Sequence, residues 1–353
     1  MQKRSPPRPT SDEDFASLSY RSREAGLSRM LYRFGKRFID STLGDVMQML
    51  ERADVPGRDI RQILYQPADT LSLLRLVELA DSVHPILRQK VMRNIMAKIN
   101  SGKLDNRAVM KNLISLHTWA MVGDIDKAVT GYLVKVADDA FGRGTFLLQK
   151  RFGVAWEFDA YSRDFTKKFV SKRFTVKDAE SFLEPMGKRM EKEIAEGIMR
   201  GESVDKVAKR VRDVDGHVSK VVSEKIARTT ITTVANDCHM DSYKKAGVKR
   251  YQMVALWDER TCPVCGRLDG KKFPISEATA GKNYPPLHPN CRCTTVAVLS
   301  EELKAMRSKT MEFKDRSTGQ IHEISRDFTY EQWYKTFGPG RTDGIEYKPK
   351  KRY

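Results

Sequence analysis

The chain contains no run of about 18 consecutive apolar residues, so no membrane-spanning helix is expected. Cysteine is also scarce, at 5 residues in 353. The number is odd, and four of the five crowd into Cys262–Cys293. The basic start, MQKRSPPRPTSDEDF, has no apolar segment behind it of the kind a secretory leader carries. Together these absences argue against a disulfide framework and for metal ligation in a reducing compartment. Acidic residues are in deficit as well, with 46 Asp+Glu against 64 Lys+Arg and a formal net charge of +18. Such an excess suits a polyanionic partner, either nucleic acid or an acidic protein surface, although a solvated basic exterior explains it equally well.

The length allows two domains of about 150 residues each, and 40% hydrophobic residues can build their cores. Residues 1–14, rich in Pro, Arg and Ser, read as a disordered basic arm. From residue 15 to 186 the apolar period is helical. Leu43, Val46, Met47 and Leu50 share one helix face, and Pro85 suits the first turn of a helix. Two segments interleave cations with rings. Arg33, Lys36 and Arg37 lie in one, and Lys167, Lys168, Lys172 and Arg173 in the other. These are the candidate nucleic-acid contacts, since cations meet phosphates and rings stack on bases. The competing and preferred reading is an amphipathic helix with rings inward and charges in water.

Further on, Met190, Ile194 and Ile198 recur every fourth residue until Gly201, which can end that helix. Ser203 is placed to cap a next helix carrying Val204, Val207 and Val211, and a separate long helix is predicted from Ser219 to Lys245. On the long helix Arg228, Thr232, Asn236 and His239 form a polar ladder along one face. After Gly247 the period shortens. Residues 248–257 and 293–300 read as strands, and 310–324 as a hairpin turning near Ser317–Gly319. Residues 301–353 thus comprise a hairpin and a basic tail ending in YKPKKRY.

Cys262-Pro-Val-Cys265 is the strongest local signal, because thiolates two residues apart can turn toward one ion. Gly266 directly after it permits the positive φ that such a turn often needs. The later HPNCRC adds His288, Cys291 and Cys293. Five donors thus compete for four tetrahedral positions. Cys262, Cys265, His288 and Cys291 are the chosen set, since H-x-x-C repeats the spacing of C-x-x-C; Cys293 lies where a strand begins and is left out. A closed four-ligand zinc is structural rather than catalytic. The alternatives are metal-free thiols packed as small apolar groups, and a zinc deaminase, whose H-x-E and P-C-x-x-C find only His239-Met240-Asp241 and Thr261-Cys262 here. Cys238 and His239 are adjacent on a helix and point about 100° apart, so Cys238 reads as a core thiol rather than a nucleophile.

The run from Glu224 to Val298 resembles the phage Mu F-like head-morphogenesis, or minor capsid, family. The matching pieces are Ala227-Arg228-Thr229, Asn236, Tyr243, Gly247-Val248, Trp257, DERTCPVC, Leu268–Gly270 and PPLHPNCRCT, and the match extends over about Gly187–Val298. Thr230 stands where the family usually has Glu, which leaves Asp258 as the expected charged partner of Arg228. Members often carry Ser at the place of Cys293, in keeping with Cys291 as ligand. The resemblance implies a mainly α (α+β) protein, a long helical region followed by a helix and a small zinc-stabilised β module over 187–300. It further implies a portal-associated minor protein of tailed-phage heads, made in the host cytoplasm and acting in head morphogenesis and DNA packaging or ejection. Its expected partners are portal and capsid proteins and double-stranded DNA without sequence preference. The runner-up is a zinc-stabilised nucleic-acid-binding protein outside the virion, or a zinc-dependent nucleic-acid-modifying enzyme.

Overall fold

Apolar residues at helical spacing dominate the chain, and the computed structural model is correspondingly helical, with a small sheet near its C-terminal end. It describes residues 20–83, 85–101, 104–152, 163–256, 261–298, 310–314 and 321–325. The expected arm, the hairpin turn at 317–319, Asp258 and the basic tail lie outside these.

Seven helices precede the first strand among the described residues: α1 (Arg21–Ala53), α2 (Thr70–Asp81), α3 (Pro85–Asn100), α4 (Asn106–Phe152), α5 (Arg163–Ser171), α6 (Val176–Met199) and α7 (Val204–Lys245). They start where the chemistry allows. Asp69 accepts from the Ser72 backbone N–H at 2.6 Å, capping α2. Pro85 opens α3, as the sequence predicts. Residues 176–199 begin behind Thr175, whose backbone N–H and hydroxyl both donate to Asp178. Gly201 and Gly247, at φ 75° and 67°, close α6 and α7. In each case the following N–H reaches back five residues, Glu202 to Gly197 and Val248 to Tyr243, the left-handed end that glycine permits.

One expectation needs correcting. The predicted break between a short helix at 204–211 and a long one from 219 is absent, and α7 is a single helix of 42 residues running through Gly216. A lone glycine costs a helix only about 1 kcal/mol, which packing readily offsets.

The chain divides into two compact units that interleave in sequence. The first is drawn from 20–134 and 167–231, the second from 135–166 and 232 onward, and α4 and α7 contribute residues to both. The predicted boundary at 186/187 falls inside α6.

In the first unit α1 packs on α6, and a 3₁₀ turn at Ile60–Tyr65 packs on both. Leu43, Val46, Met47 and Leu50 are all buried, as are Met190, Ile194, Ile198, Val204, Val207 and Val211. The predicted apolar stripes are therefore core seams. Asp45 joins His117 Nε2 at 2.7 Å and Arg75 Nε at 3.0 Å beside this core, and the two neighbours hold its carboxyl below the usual carboxylate range against the opposing cost of burial.

The second unit holds a three-stranded antiparallel sheet of order β2-β1-β3, with β1 Arg250–Val254, β2 Lys272–Pro274 and β3 Thr294–Ala297. A short helix, α8 (Pro263–Leu268), lies between β1 and β2 in sequence. A separate antiparallel pair, β4 (Thr310–Lys314) with β5 (Ile321–Ser325), supplies the two strands of the predicted hairpin. The irregular loop before His288 has more core than its composition suggests. Tyr284 and Leu287 are buried in one cluster with Tyr243, Tyr251 and Met253. Tyr251 donates to the Asn283 carbonyl at 3.0 Å, and Asn283 ties Thr279 to Glu277.

Candidate metal centre

The first cysteine pair is set by the start of α8. Cys262 is the N-cap residue, Pro263 follows inside the helix, and Cys262 Sγ accepts from the Cys265 backbone N–H at 3.4 Å. Gly266 lies inside this helix, so the turn does not use it for a positive φ. The left-handed glycine comes four residues later, at Gly270 with φ 73°.

The second group is set by a turn at HPNC. Cys291 N–H donates to the His288 carbonyl at 3.1 Å, and Asn290 sits at φ 66°, a region Asn tolerates better than most residues. His288 Nδ1–H donates to the Pro289 carbonyl at 2.7 Å, which fixes the tautomer and leaves the Nε2 lone pair facing the thiols. That nitrogen lies 3.3 Å from Cys262 Sγ and 3.2 Å from Cys265 Sγ.

Two groups of donors result, Cys262–Cys265–His288 and Cys265–Cys291–Cys293. Within each, the ligand atoms all lie within 4.8 Å of one another, close enough to hold a metal ion. All four residues of the predicted set take part. So does Cys293, which the sequence reasoning set aside, and Cys265 belongs to both groups. The overlooked signal is the two-residue spacing of Cys291 and Cys293, because in extended backbone alternate side chains share a face.

The electrostatics follow from these contacts. The Cys265 backbone N–H lowers the Cys262 thiol, and the Pro289 carbonyl raises His288. Burial pushes the Cys265 thiol up to about 12. A hydrogen bond between Cys293 and Cys291 lowers Cys291 to about 5 and drives Cys293 far up.

Helix α7 braces the second group. Thr232 Oγ1 donates to the Cys291 carbonyl at 3.0 Å, and Asn236 Nδ2 donates to the Cys293 carbonyl at 3.1 Å. One turn of α7 thus holds both carbonyls of the C-x-C segment. Thr232, Asn236 and His239 are buried. Arg228, at the other end of the ladder, donates its Nε to Glu24 of α1 at 3.4 Å. Its expected partner Asp258 lies outside the described residues. Tyr284 donates to Asp237 at 3.2 Å and Tyr243 to the Thr295 carbonyl at 2.9 Å, further ties from α7 that the sequence did not announce.

His239 belongs to neither donor group. Burial pushes its pKa down to about 4, with Arg143 acting in the same direction and Asp139 against it. The deaminase arrangement of His239 with the first cysteine pair therefore finds no shared cluster among the described residues. Cys238 is fully buried, as a core thiol should be.

In the basic segments, Arg33, Lys36, Arg37, Lys167, Lys168 and Lys172 are exposed. Phe38 and Phe174 are buried, so those rings face inward. Arg37 stands 5.5 Å over Phe34, and Arg173 lies 3.5 Å over Phe169 and donates to its carbonyl at 2.8 Å.

A long helix bracing a small antiparallel sheet with a Cys/His knuckle defines a mainly helical protein whose most distinctive chemistry is a candidate metal centre. Residues 188–296 match the family described as Phage Mu protein F like protein, a stretch that takes in the C-terminal half of α6, all of α7, β1, β2, most of β3 and all five donors. The match points to a phage head-related, structural protein. No curated protein and no solved structure matches the chain. No helix among the described residues is long and apolar enough to cross a membrane.

Proposed function

We propose that the protein is a minor structural component of a tailed-phage head, associated with the portal and acting in head morphogenesis and in DNA packaging or ejection. The observation that carries this reading is the coincidence of the family match over 188–296 with one coherent substructure, helix, sheet and knuckle. The knuckle binds one structural zinc. Thiolates and an imidazole are zinc donors, and a tetrahedral ion with bonds of roughly 2.3 Å to sulfur and 2.0 Å to nitrogen separates such atoms by about 3.5 Å. The 3.2 and 3.3 Å spacings around His288 Nε2 are near that value. With every donor protein-borne, the ion would hold the loop rather than activate water.

The net charge of +18 supports contact with packaged DNA. Arg33, Lys36, Lys167, Lys168 and Lys172 are exposed and make no ion pair among the described residues, which leaves them open to phosphates. Co-sedimentation of the full chain with purified portal and with capsid protein tests the placement. Selective association with portal is expected; association with neither would favour the alternative of a zinc-stabilised nucleic-acid-binding protein outside the virion.

A further inference from the structure

The large apolar side chains exposed among the described residues are not scattered. Five of the twelve lie on one helical hairpin, Leu71, Leu74 and Val77 on α2 with Met96 and Ile99 on α3. On α2 they recur every third residue, apart from the face that buries Ser72, Leu76, Leu79 and Ala80. Leu71, Leu74 and Met96 are 58%, 54% and 47% exposed. A single exposed leucine is ordinary, whereas such a cluster marks an interaction surface. Leu71 and Leu74 also line, with Met49 and Leu113, a cleft of about 280 Å³, a place for an anchoring side chain. The charge beside this surface has one sign. Residues 82–104 carry Arg88, Lys90, Arg93, Lys98 and Lys103 and no acidic residue. Arg88 pairs with Asp81, while Arg93 and Lys98 are exposed and join no ion pair among the described residues.

We propose that the α2–α3 hairpin is a docking surface for an amphipathic helix of another protein, one whose apolar stripe is flanked by Asp or Glu. The stripe covers Leu71, Leu74 and Met96, and the acids meet Arg93 and Lys98. Other occupants match these residues less well. DNA offers phosphates but nothing that buries five apolar side chains. A second copy would set its own cations against these. A membrane interface favours Trp, Tyr and Phe, and residues 70–100 contain none of the three. Leucine and methionine instead suit the irregular face of a partner helix. The inference goes beyond placement in a phage head and needs neither that placement nor a metal.

The test uses the full chain and two labelled amphipathic peptides that share one leucine stripe, one flanked by Glu and the other by Lys. Fluorescence anisotropy should show the Glu-flanked peptide binding at least about tenfold tighter, with an affinity that falls as salt is added. Leu74→Glu combined with Met96→Glu should weaken that binding by at least about tenfold. Arg93→Glu combined with Lys98→Glu should reverse the preference toward the Lys-flanked peptide. All four positions are exposed, so both variants should melt like the parent, and the charge reversal stands alone if the first variant misfolds. Equal binding of the two peptides would overturn the proposal, as would a preference that survives the charge reversal. Sedimentation of the parent and its binding to phosphatidylglycerol vesicles test the other occupants. Self-association or vesicle binding that is lost with Leu74→Glu and Met96→Glu would assign the surface elsewhere and equally overturn it. None of these readouts uses phage heads, so failure here leaves the family placement intact, and a chain absent from heads leaves this result standing.

Discussion

Asn236 on α7 donates its side-chain amide to the carbonyl oxygen of Cys293 at 3.1 Å, across 57 positions of sequence. The same amide also donates to the Thr232 carbonyl one turn earlier, at 2.9 Å, so the side chain bridges helix and knuckle. Replacing it with alanine leaves a buried carbonyl without its donor, which typically costs about 1–3 kcal/mol. Asn236→Ala should lower the denaturant midpoint of the full chain accordingly. Zinc affinity should fall as well, by about 10–100-fold as for other groups that orient ligands. Chelator competition measures the second effect, and an unchanged affinity would confine Asn236 to a packing role.

Arg228 and Glu24 form an ion pair that is neither fully buried nor free in solvent, with side chains 24% and 18% exposed. A value between those of exposed and buried pairs is expected, about 1–2 kcal/mol. A double-mutant cycle of Arg228→Ala and Glu24→Ala should return a coupling of that size. Additivity of the two single changes would show that the long 3.4 Å contact contributes nothing.

His239 supplies a pH dependence with a definite sign. Its folded pKa is lowered from 6.5 to about 4, so between those values the unfolded chain binds more protons. Stability should be unaffected by His239 above about pH 6.5 and fall as pH drops toward 4, by up to about 3 kcal/mol. Other groups protonate in acid too, so the comparison that isolates His239 is parent against His239→Asn. The variant's stability should fall less steeply over this window, and identical pH profiles would contradict the assignment.

Removing the α1 cations tests the basic surface. Parent protein should bind random DNA duplexes with an affinity that falls steeply with salt, because bound cations release counterions. The triple change of Arg33, Lys36 and Arg37 to alanine should weaken binding to all duplexes alike and reduce the salt slope by up to about 3. A slope unchanged from the parent would place the DNA contacts elsewhere.

The sequence disclosed more of the helices than of the joints. Leu43, Val46 and Leu50, or Met190, Ile194 and Ile198, show their burial by period alone, because a helix repeats locally. The continuity of α7 through Gly216 was hidden, since whether one weak residue breaks a helix depends on what packs around it. In the knuckle, Cys262, Cys265 and His288 were legible from short spacings that a turn can close. The place of Cys293, directly before β3, depends on how the chain leaves the HPNC turn, which local spacing does not show. Thr232 and Asn236 were legible as a ladder but not as a brace, because their partners are backbone carbonyls, which every residue has.

The most direct test of the central claim is tryptic mass spectrometry of gradient-purified phage heads assembled with the parent chain or with Cys262→Ser in its place. Peptides of the parent should co-sediment with heads, and the variant, lacking a donor of the knuckle, should be depleted from heads of otherwise normal composition. A parent chain absent from the head fraction would contradict a role in the head, and equal incorporation of Cys262→Ser would contradict a structural role for the knuckle.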